Sequence, residues 1–245
     1  MVLIALTSVA LLSASFLASR APAWWPVRSN PRTEAVIAAD LENAVVNQLH
    51  AARPMEGPSE GQKLSESAGQ TEGQPTGWTS ALWSVSLSES DANAWLAARL
   101  PKWLANQDDP IEWPAELSVV QSGFEEGRLQ VGAQVLDGRQ TRYVSCQLRL
   151  WIDDRGRLWA PADWVRLGRL AVPAEWIVER AFGAAKPISR TIGAAHASQR
   201  VAAALRGEEP LLDNPVLKLA DGRHVRLVRL LLKNGHVEIT CRTER

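Results

Sequence analysis

The most pronounced hydrophobic pattern in the chain is an uninterrupted apolar stretch at its start. Residues 2–18 (VLIALTSVALLSASFLA) carry no charge and are followed by Ser19 and Arg20. As a helix rising about 1.5 Å per residue, this stretch would span roughly 26 Å, a little less than the ~30 Å hydrocarbon core of a bilayer. Residues 1–26 are therefore predicted to form a transmembrane signal anchor or a signal peptide.

The residues after the apolar stretch bear on whether the stretch is cleaved off and on its orientation in the membrane. Ala21-Pro22-Ala23 offers the small residues of a cleavage site, but a proline next to the scissile bond makes a poor one. Trp24 and Trp25 suit a membrane interface, which favours an uncleaved anchor. We expect a single-pass, membrane-anchored protein with a periplasmic or extracytoplasmic domain. The positive-inside rule opposes this orientation, because the nearest basic residues all follow the stretch: Arg20, Arg28 and Arg32.

A helical pattern and then a polar segment separate this stretch from the rest of the chain. Residues 27–52 are predicted to form an amphipathic helix with Thr33 as its N-cap. The helix is either a stalk leading away from the membrane or a helix folded back onto the domain. Residues 53–77 are rich in Gly, Ser, Glu, Gln and Pro, which predicts a flexible linker and places the α+β domain at residues 78–245. The apolar stripe of the helix consists of Ile37, Leu41, Val45 and Leu49.

The domain opens with a strong helix signal. Ser88 as N-cap and Asp91 three residues later resemble a capping box, and apolar residues follow at helical spacing. Pro101 is expected to bend or end this helix. The apolar stripe consists of Ala92, Trp95, Leu96, Leu100 and Trp103.

Alternation with a period of two then predicts an antiparallel meander. Its strands are residues 117–122, 129–136 and 142–152, joined by turns at Glu126-Gly127 and Asp137-Gly138. In the third strand the apolar residues share one face, so one face of the meander is expected to be buried. That face carries Val144, Cys146, Leu148, Leu150 and Ile152, and the opposite face carries Tyr143, Ser145, Gln147, Arg149 and Trp151.

Two shorter helices and a second meander complete the pattern. Pro173 suits the first position of a helix running to about residue 182, and a second helix, residues 195–206, ends before Gly207. Strands at residues 216–220, 223–233 and 236–242 are separated by Asp-Gly and Asn-Gly turns. The predicted fold is α+β. It is a curved antiparallel β-sheet of two meanders packed on a long helix and two shorter helices, preceded by the transmembrane or signal segment.

Residue types that carry catalysis are present without the spacing that catalysis needs. No histidine has a partner at a metal-ligand spacing, and the sequence contains no hydrolase elbow, phosphate loop or dinucleotide fingerprint. Cys146 and Cys241 fall on apolar strand faces, which favours packing over a disulfide. We therefore expect no enzyme activity, no cofactor and no metal. The acidic pairs sit beside Pro or Gly, where turn chemistry explains them: Asp108-Asp109 and Asp153-Asp154.

The formal charge is zero but unevenly distributed. Residues 20–137 carry 8 basic and 16 acidic side chains, whereas residues 138–245 carry 19 basic and 11 acidic ones. Such asymmetry can mark a face for phosphate-bearing partners, and the alternative is that the arginines line the solvated face of a sheet. With no recognisable module for nucleic acid, we expect no nucleic-acid partner. The arginines that would meet anionic lipid headgroups are Arg166, Arg169, Arg223, Arg226 and Arg229.

Two short motifs and the order of elements resemble a known family. The helix start fits Ser/Thr-Glu-x-x-x-Asn-x-x-Leu with Asn93 at its asparagine, and the segment at residues 167–173 (LGRLAVP) fits Gly-x-Leu-x-x-Pro with Pro173 at its end. Over residues 85–242 the chain resembles the YpmS-like families of single-pass bacterial membrane proteins. The resemblance implies a domain similar to one half of tubular lipid-binding (TULIP-like) folds, with no catalytic residues.

This resemblance also implies a site. A long helix would lie against a curved sheet, and the gap between them would admit an acyl chain, although the same residues would otherwise form a solid core. We expect a membrane-anchored, non-enzymatic exported domain that binds lipid or another envelope component. The alternative is a structural protein-interaction module of the cell envelope. The predicted ligand-binding residues are Trp95, Leu96, Leu100, Trp103, Leu148 and Leu150.

Overall fold

The computed structural model describes residues 16–25, 30–56, 78–106, 113–138, 140–172 and 192–245. Antiparallel strands dominate this part of the chain, and four helices accompany them, so the α+β class is confirmed. The helices are α1 (Pro31–His50), α2 (Glu89–Ala98), α3 (Leu100–Ala105) and α4 (Ile192–Arg206). The predicted helix after Pro173 and most of the predicted linker lie outside the described residues.

Five strands form what we call the meander sheet. Their order across the sheet is β10-β9-β6-β5-β4, and every neighbouring pair is antiparallel. The predicted third strand is shorter than its alternation suggested, because β6 ends at Arg149, Leu150 belongs to no strand, and Trp151 and Ile152 pair with Trp159 and Leu158. The strands are β4 (Leu117–Glu125), β5 (Arg128–Asp137), β6 (Gln140–Arg149), β9 (Ala162–Leu167) and β10 (Leu170–Val172).

A second group of strands forms the terminal sheet, in the order β1-β2-β13-β12-β11, with β3 also paired to β13. Its long hairpin turns at Asn234-Gly235 and sets Lys233 opposite His236, as the turn signal predicts. A separate hairpin of β7 (Trp151–Ile152) and β8 (Leu158–Trp159) stands beside both sheets. The strands of the terminal sheet are β1 (Met55–Glu56), β2 (Thr79–Ser80), β3 (Trp83–Ser88), β11 (Val216–Lys218), β12 (His224–Lys233) and β13 (His236–Glu244).

The predicted helix signals are mostly correct in position. The Ser88 hydroxyl accepts the Asp91 N–H at 3.1 Å, which is the predicted N-cap of α2. Helix α1 begins one turn earlier than expected, with Asn30 rather than Thr33 as its N-cap. It packs against α2, where Arg99 Nε lies 3.1 Å from Glu42 Oε2. Of the two alternatives for α1, the described chain adopts the folded-back one.

The predicted long helix of the domain is interrupted. Helix α2 ends at Ala98, Arg99 is its C-cap, and α3 begins at Leu100 with Pro101 in its first turn. Proline lacks the N–H that a continuous helix needs at this point and is tolerated in a first turn. The structure therefore presents two short helices where one long helix against a curved sheet was expected.

The two sheets meet at an apolar cluster formed by Phe124, Leu232 and Val237. Backbone hydrogen bonds join their hairpin turns beside it. Gly127 N donates to Leu232 O, and Gly235 N donates to Phe124 O, both at 3.0 Å. Both turn glycines have a positive φ that other residues rarely adopt. The turn chemistry of the two meanders therefore also fixes how the sheets dock.

No helix among the described residues is long and apolar enough to cross a membrane. The described part of the apolar stretch begins at Phe16, and residues 1–15 lie outside it. The transmembrane or signal segment therefore stays a prediction.

Candidate functional site

The six residues predicted to line an apolar pocket fall in two places. Trp95 and Trp103 approach each other across the break between α2 and α3, with ring centroids 6.4 Å apart, and Trp103 is 51% exposed. Leu150 packs against the apolar cluster between the sheets. The remaining three are half-buried: Leu96 and Leu100 on the helices and Leu148 opposite Leu129 in β6. Leu150 thus contacts the apolar cluster between the sheets, and Leu148 lies opposite Leu129, which contacts the same cluster.

The helix-start motif has a clear structural role. The Asn93 side chain donates to Ser122 O at 2.8 Å and accepts from Ser122 N at 2.7 Å, and Glu89 Oε2 accepts from Phe124 N at 2.9 Å. Strand β4 is an edge strand, and unpaired edge groups invite pairing with other chains. Glu89 and Asn93, one turn apart on α2, satisfy that edge in place of a further strand.

The second motif holds the end of the apolar stretch. Arg169 N donates to Leu17 O at 2.8 Å, and Arg169 Nε donates to Ala21 O at 3.0 Å. A Cβ at Gly168, where φ is +59°, would overlap the backbone oxygens of Leu17 and Ala18. The β9–β10 turn therefore needs glycine both for its conformation and to admit the N-terminal backbone.

Two tryptophans follow on the same segment and lie on the meander sheet. A Cβ at Gly132 would stand 2.8 Å from the Trp25 ring and 3.0 Å from the Trp24 ring, and one at Gly123 would stand 3.1 Å from Trp24. The Trp25 ring also meets Tyr143 edge-on at 5.1 Å. Glycine inside a strand often marks a close approach of this kind. We call residues Phe16–Trp25 in this arrangement the N-terminal clamp.

The clamp covers the face of the sheet that alternation assigns to solvent. Gly123, Gln130 and Gln147 lie side by side across β4, β5 and β6, and Gln121, Gly132 and Ser145 form the next row. The expectation of a single buried face was wrong, because the polar side chains here are nearly inaccessible, with Ser145 at 2% exposure and Gln147 at 4%. We call this surface the polar face.

Hydrogen bonding on the polar face is incomplete within the described chain. Glu125 accepts from Gln130 Nε2 and from Gln147 Nε2, the latter at 3.0 Å. This face is polar in composition, but only some of its buried polar groups form hydrogen bonds. Each buried polar group without a partner costs about 1–3 kcal/mol. On the polar face and in the clamp above it, four buried polar atoms have no hydrogen-bond partner among the described residues: Trp24 Nε1, Gln121 Oε1, Gln130 Oε1 and Ser145 Oγ.

A groove of about 490 Å³ opens on another part of the surface. It lies where the β7–β8 hairpin meets the C-terminal end of α4. Sequence reasoning did not select any of its residues, although two tryptophans flanking an Asp-Asp-Arg-Gly turn were visible in the sequence. The lining residues are Arg149, Trp151, Asp153, Trp159, Pro161, Arg206 and Gly207.

Asp153 organises the hairpin beside this groove. Its carboxylate accepts hydrogen bonds from Trp159 Nε1 at 3.0 Å, from Arg157 and from the backbone of Arg155. The hydrogen bond from Trp159, followed by those from the two arginines, holds the pKa of Asp153 well below its usual range. The turn chemistry predicted for the Asp153-Asp154 pair is confirmed, and its consequence is a fixed Trp159 ring.

Most of the arginines proposed to meet lipid headgroups already have partners. Arg166 lies over the Trp164 ring at 3.9 Å, and Arg169 binds the clamp. Arg223 pairs with Asp221, and Arg226 pairs with Glu244. The two carboxylate pairs reduce the charge that Arg223 and Arg226 can offer to a membrane surface, whereas Arg166 and Arg169 contact uncharged groups. The fifth, Arg229, is exposed on β12.

The two cysteines are free thiols in different sheets, Cys146 in β6 and Cys241 in β13. The prediction that they pack rather than pair is confirmed. Among the described residues, no group of three or more His, Cys, Asp or Glu side chains could hold a metal ion.

Comparison of the chain with protein-family models, with curated proteins and with solved structures finds no match in any of the three. The resemblance to the YpmS-like families therefore rests on the two motifs and the order of elements, and it stays a prediction.

Proposed function

We propose that this protein is a non-enzymatic module of the cell envelope, held on a membrane by the apolar stretch of residues 2–18. The observation that carries the proposal is the N-terminal clamp. The apolar stretch of residues 2–18 ends inside the clamp, since Leu17 O is bound by Arg169 N at 2.8 Å. An anchor of this kind is joined directly to the meander sheet, without a free linker between them.

The clamp contacts also favour an anchor that is retained. Cleavage after Ala23 would remove both backbone oxygens that Arg169 binds, those of Leu17 and Ala21. It would also remove Pro22, which is buried. A segment with this many contacts contributes to the folded domain, whereas a cleaved leader contributes nothing after export.

The perturbed carboxylates are explained by the turns in which they lie. The hydrogen bond from Arg223 lowers the pKa of Asp221 to about 2, and Asp153 is held low by Trp159 and its neighbours. A lowered pKa at a turn with an adjacent arginine has a structural cause. A general acid or base needs the opposite, a pKa moved towards neutrality.

Between the two binding roles, the contacts favour an envelope component other than a lipid chain. Leu150 is part of the core between the sheets, and four of the five candidate arginines have partners within the chain. A protein-interaction role is the second candidate, supported by Leu82, Trp103 and Leu217, each 51% exposed.

The test is made on the full chain with a C-terminal tag, expressed in a bacterial host. We expect the membrane fraction to contain a protein whose intact mass includes residues 1–23. We also expect external protease to degrade the domain in spheroplasts and not in intact cells. A mature protein beginning at Trp24 in the soluble fraction would contradict the anchor, and a domain protected in spheroplasts would contradict export.

Gly168 offers a variant that separates the clamp from the anchor. Gly168→Val should release the clamp, because its side chain would occupy the position of the Leu17 carbonyl, while leaving the apolar stretch intact. The variant should stay in the membrane fraction but become open to trypsin after Arg20. Gly222→Val is the matched control, because Gly222 also has a positive φ but has no atom near its missing Cβ.

A further inference from the structure

The groove beside the β7–β8 hairpin has the size and lining of a small-ligand site. Its volume of about 490 Å³ lies within the roughly 300–1,000 Å³ typical of ligand pockets. Aromatic rings form part of its wall, and charged side chains stand around them. The groove contains no residue of the clamp, so its role does not depend on membrane attachment.

The aromatic wall is flat and fixed in place. The rings of Trp151 and Trp159 are parallel, with an interplanar angle of 3° and centroids 5.9 Å apart. The indole N–H of Trp159 is bound by Asp153 at 3.0 Å, and Trp151 is 39% exposed. Because the rings stack on each other, they leave no slot between them and present a single planar surface. A rigid surface of this kind binds without a large loss of side-chain entropy.

The charges of the groove are balanced by partners. Arg149 Nε lies 2.6 Å from Asp163 Oδ1, and both Nε and Nη2 of Arg206 donate to the Glu208 carboxylate at 2.8 Å. The third charge, Asp153, is neutralised by Arg157 at 2.7 Å. An anion or a cation entering the groove would have to compete with these pairs. The paired groups retain hydrogen-bonding capacity, since an arginine has five N–H donors.

We propose that this groove binds a neutral oligosaccharide, with one sugar ring stacked on Trp151. A pyranose ring with equatorial hydroxyls has an apolar face that matches the planar indole and a polar edge that matches the paired Arg149 and Arg206. The aromatic face carries partial negative charge that attracts the C–H groups of such a ring. A proline-rich peptide fits less well, because grooves for extended peptides place residues between separate aromatic ridges.

The test uses the full-length chain in a detergent without a sugar headgroup, and cellotriose as the probe, because its glucose rings have only equatorial substituents. Calorimetry should detect cellotriose binding, and the indole N–H resonance of Trp159 should shift. Inositol hexakisphosphate, as the anionic probe, and octaproline should not bind at this groove. Failure of cellotriose to bind, or binding of either other probe in its place, would overturn the proposal.

Two tryptophan variants localise the site. Trp151→Ala should weaken cellotriose binding by roughly tenfold or more, which corresponds to about 1.4 kcal/mol. Trp103→Ala, which removes an exposed indole that is not part of the groove lining, should leave the affinity unchanged. Equal losses in both variants would contradict the assignment. If Trp151→Ala does not fold, Trp151→Tyr should retain most of the affinity and Arg149→Ala on the exposed rim should lower it.

Discussion

The two faces of the meander sheet both contain buried residues, but these are covered by different means. On one face, Phe124 packs with Leu232 and Val237 of the terminal sheet. On the other, the neighbouring positions Gly123 and Gln130 lie beneath the N-terminal clamp. The Phe124 end of the apolar face is covered by strands β12 and β13 of the terminal sheet. The polar face is covered by two indoles that enter from the far end of the chain.

The difference shows what hydrophobic alternation can and cannot predict. Apolar positions with a period of two indicate a face to be buried, but in β6 those positions, Val144, Cys146 and Leu148, are half-buried, whereas Ser145 and Gln147 between them are buried. Polar positions do not identify a face that must be exposed. A polar face can be buried when small residues admit a large aromatic side chain, as Gly132 admits Trp25.

The largest loss of stability is expected on the apolar face. Leu232→Ala should lower the free energy of unfolding by about 2–5 kcal/mol, because Leu232 is 2% exposed and its truncation leaves a cavity. Urea denaturation of the full chain measures the loss. Leu217→Ala, at an exposed leucine of the same sheet, should change stability by less than about 0.5 kcal/mol. Similar losses in the two variants would contradict the position of the core.

An intermediate loss is expected on the polar face. Gly132→Val should destabilise by about 1–3 kcal/mol, because its side chain must displace the Trp24 and Trp25 rings. Trypsin should then cut after Arg20 faster than in the unmodified chain. Gly123→Ala should have a smaller effect on both quantities, since its closest contact is 3.1 Å from Trp24. An unchanged cleavage rate in Gly132→Val would show that the clamp does not depend on the space that Gly132 leaves for the two indole rings.

Two buried hydroxyls sharpen the comparison. Ser80 Oγ accepts from Thr243 N at 3.0 Å in the terminal sheet, whereas Ser145 Oγ on the polar face has no partner within the described chain. Ser80→Ala should cost about 1–3 kcal/mol by leaving a buried N–H unpaired. Ser145→Ala should be within about 0.5 kcal/mol of neutral or slightly stabilising. Thermal unfolding of the two variants measures these losses of stability. A large loss in Ser145→Ala would mean that the Ser145 hydroxyl has a hydrogen-bond partner.

The last prediction concerns the reactivity of a thiol on the apolar face and involves no change in stability. Burial raises the pKa of Cys146 from 9.0 to about 11, so the reactive thiolate is scarce near neutrality. In a Cys241→Ser chain at pH 8, Cys146 should react with Ellman's reagent roughly 100-fold more slowly than the same thiol in denaturant. Equal rates would place Cys146 on an accessible surface.

Much of the fold could be predicted because its signals are local. The Ser88 cap, the Asn-Gly hairpin and the period-two strands each depend on residues close together in the sequence. The break after Ala98 was also signalled locally by Pro101.

The candidate sites could not be predicted in the same way because they join distant residues. Nothing near Gly132 indicates that Trp25 will cover it, although glycine inside a strand is a general signal of close approach. Trp151 was interpreted as part of a longer strand, residues 142–152, and Trp159 was assigned to no element. The β7–β8 hairpin is held together by the hydrogen bonds that Asp153 accepts from Arg155, Arg157 and Trp159 across the turn.

The central claim is that the N-terminal clamp lies on the polar face of the meander sheet. Tyr143 is the only tyrosine in the chain, and its ring centroid lies 5.1 Å from that of Trp25. Nuclear Overhauser effects from the Tyr143 ring protons can therefore be assigned without ambiguity in the full chain. We predict cross-peaks to the indole protons of Trp25 that disappear in Trp25→Ala. If Tyr143 shows no cross-peaks to Trp25, and its other cross-peaks are the same in Trp25→Ala as in the unmodified chain, the clamp does not lie on the polar face.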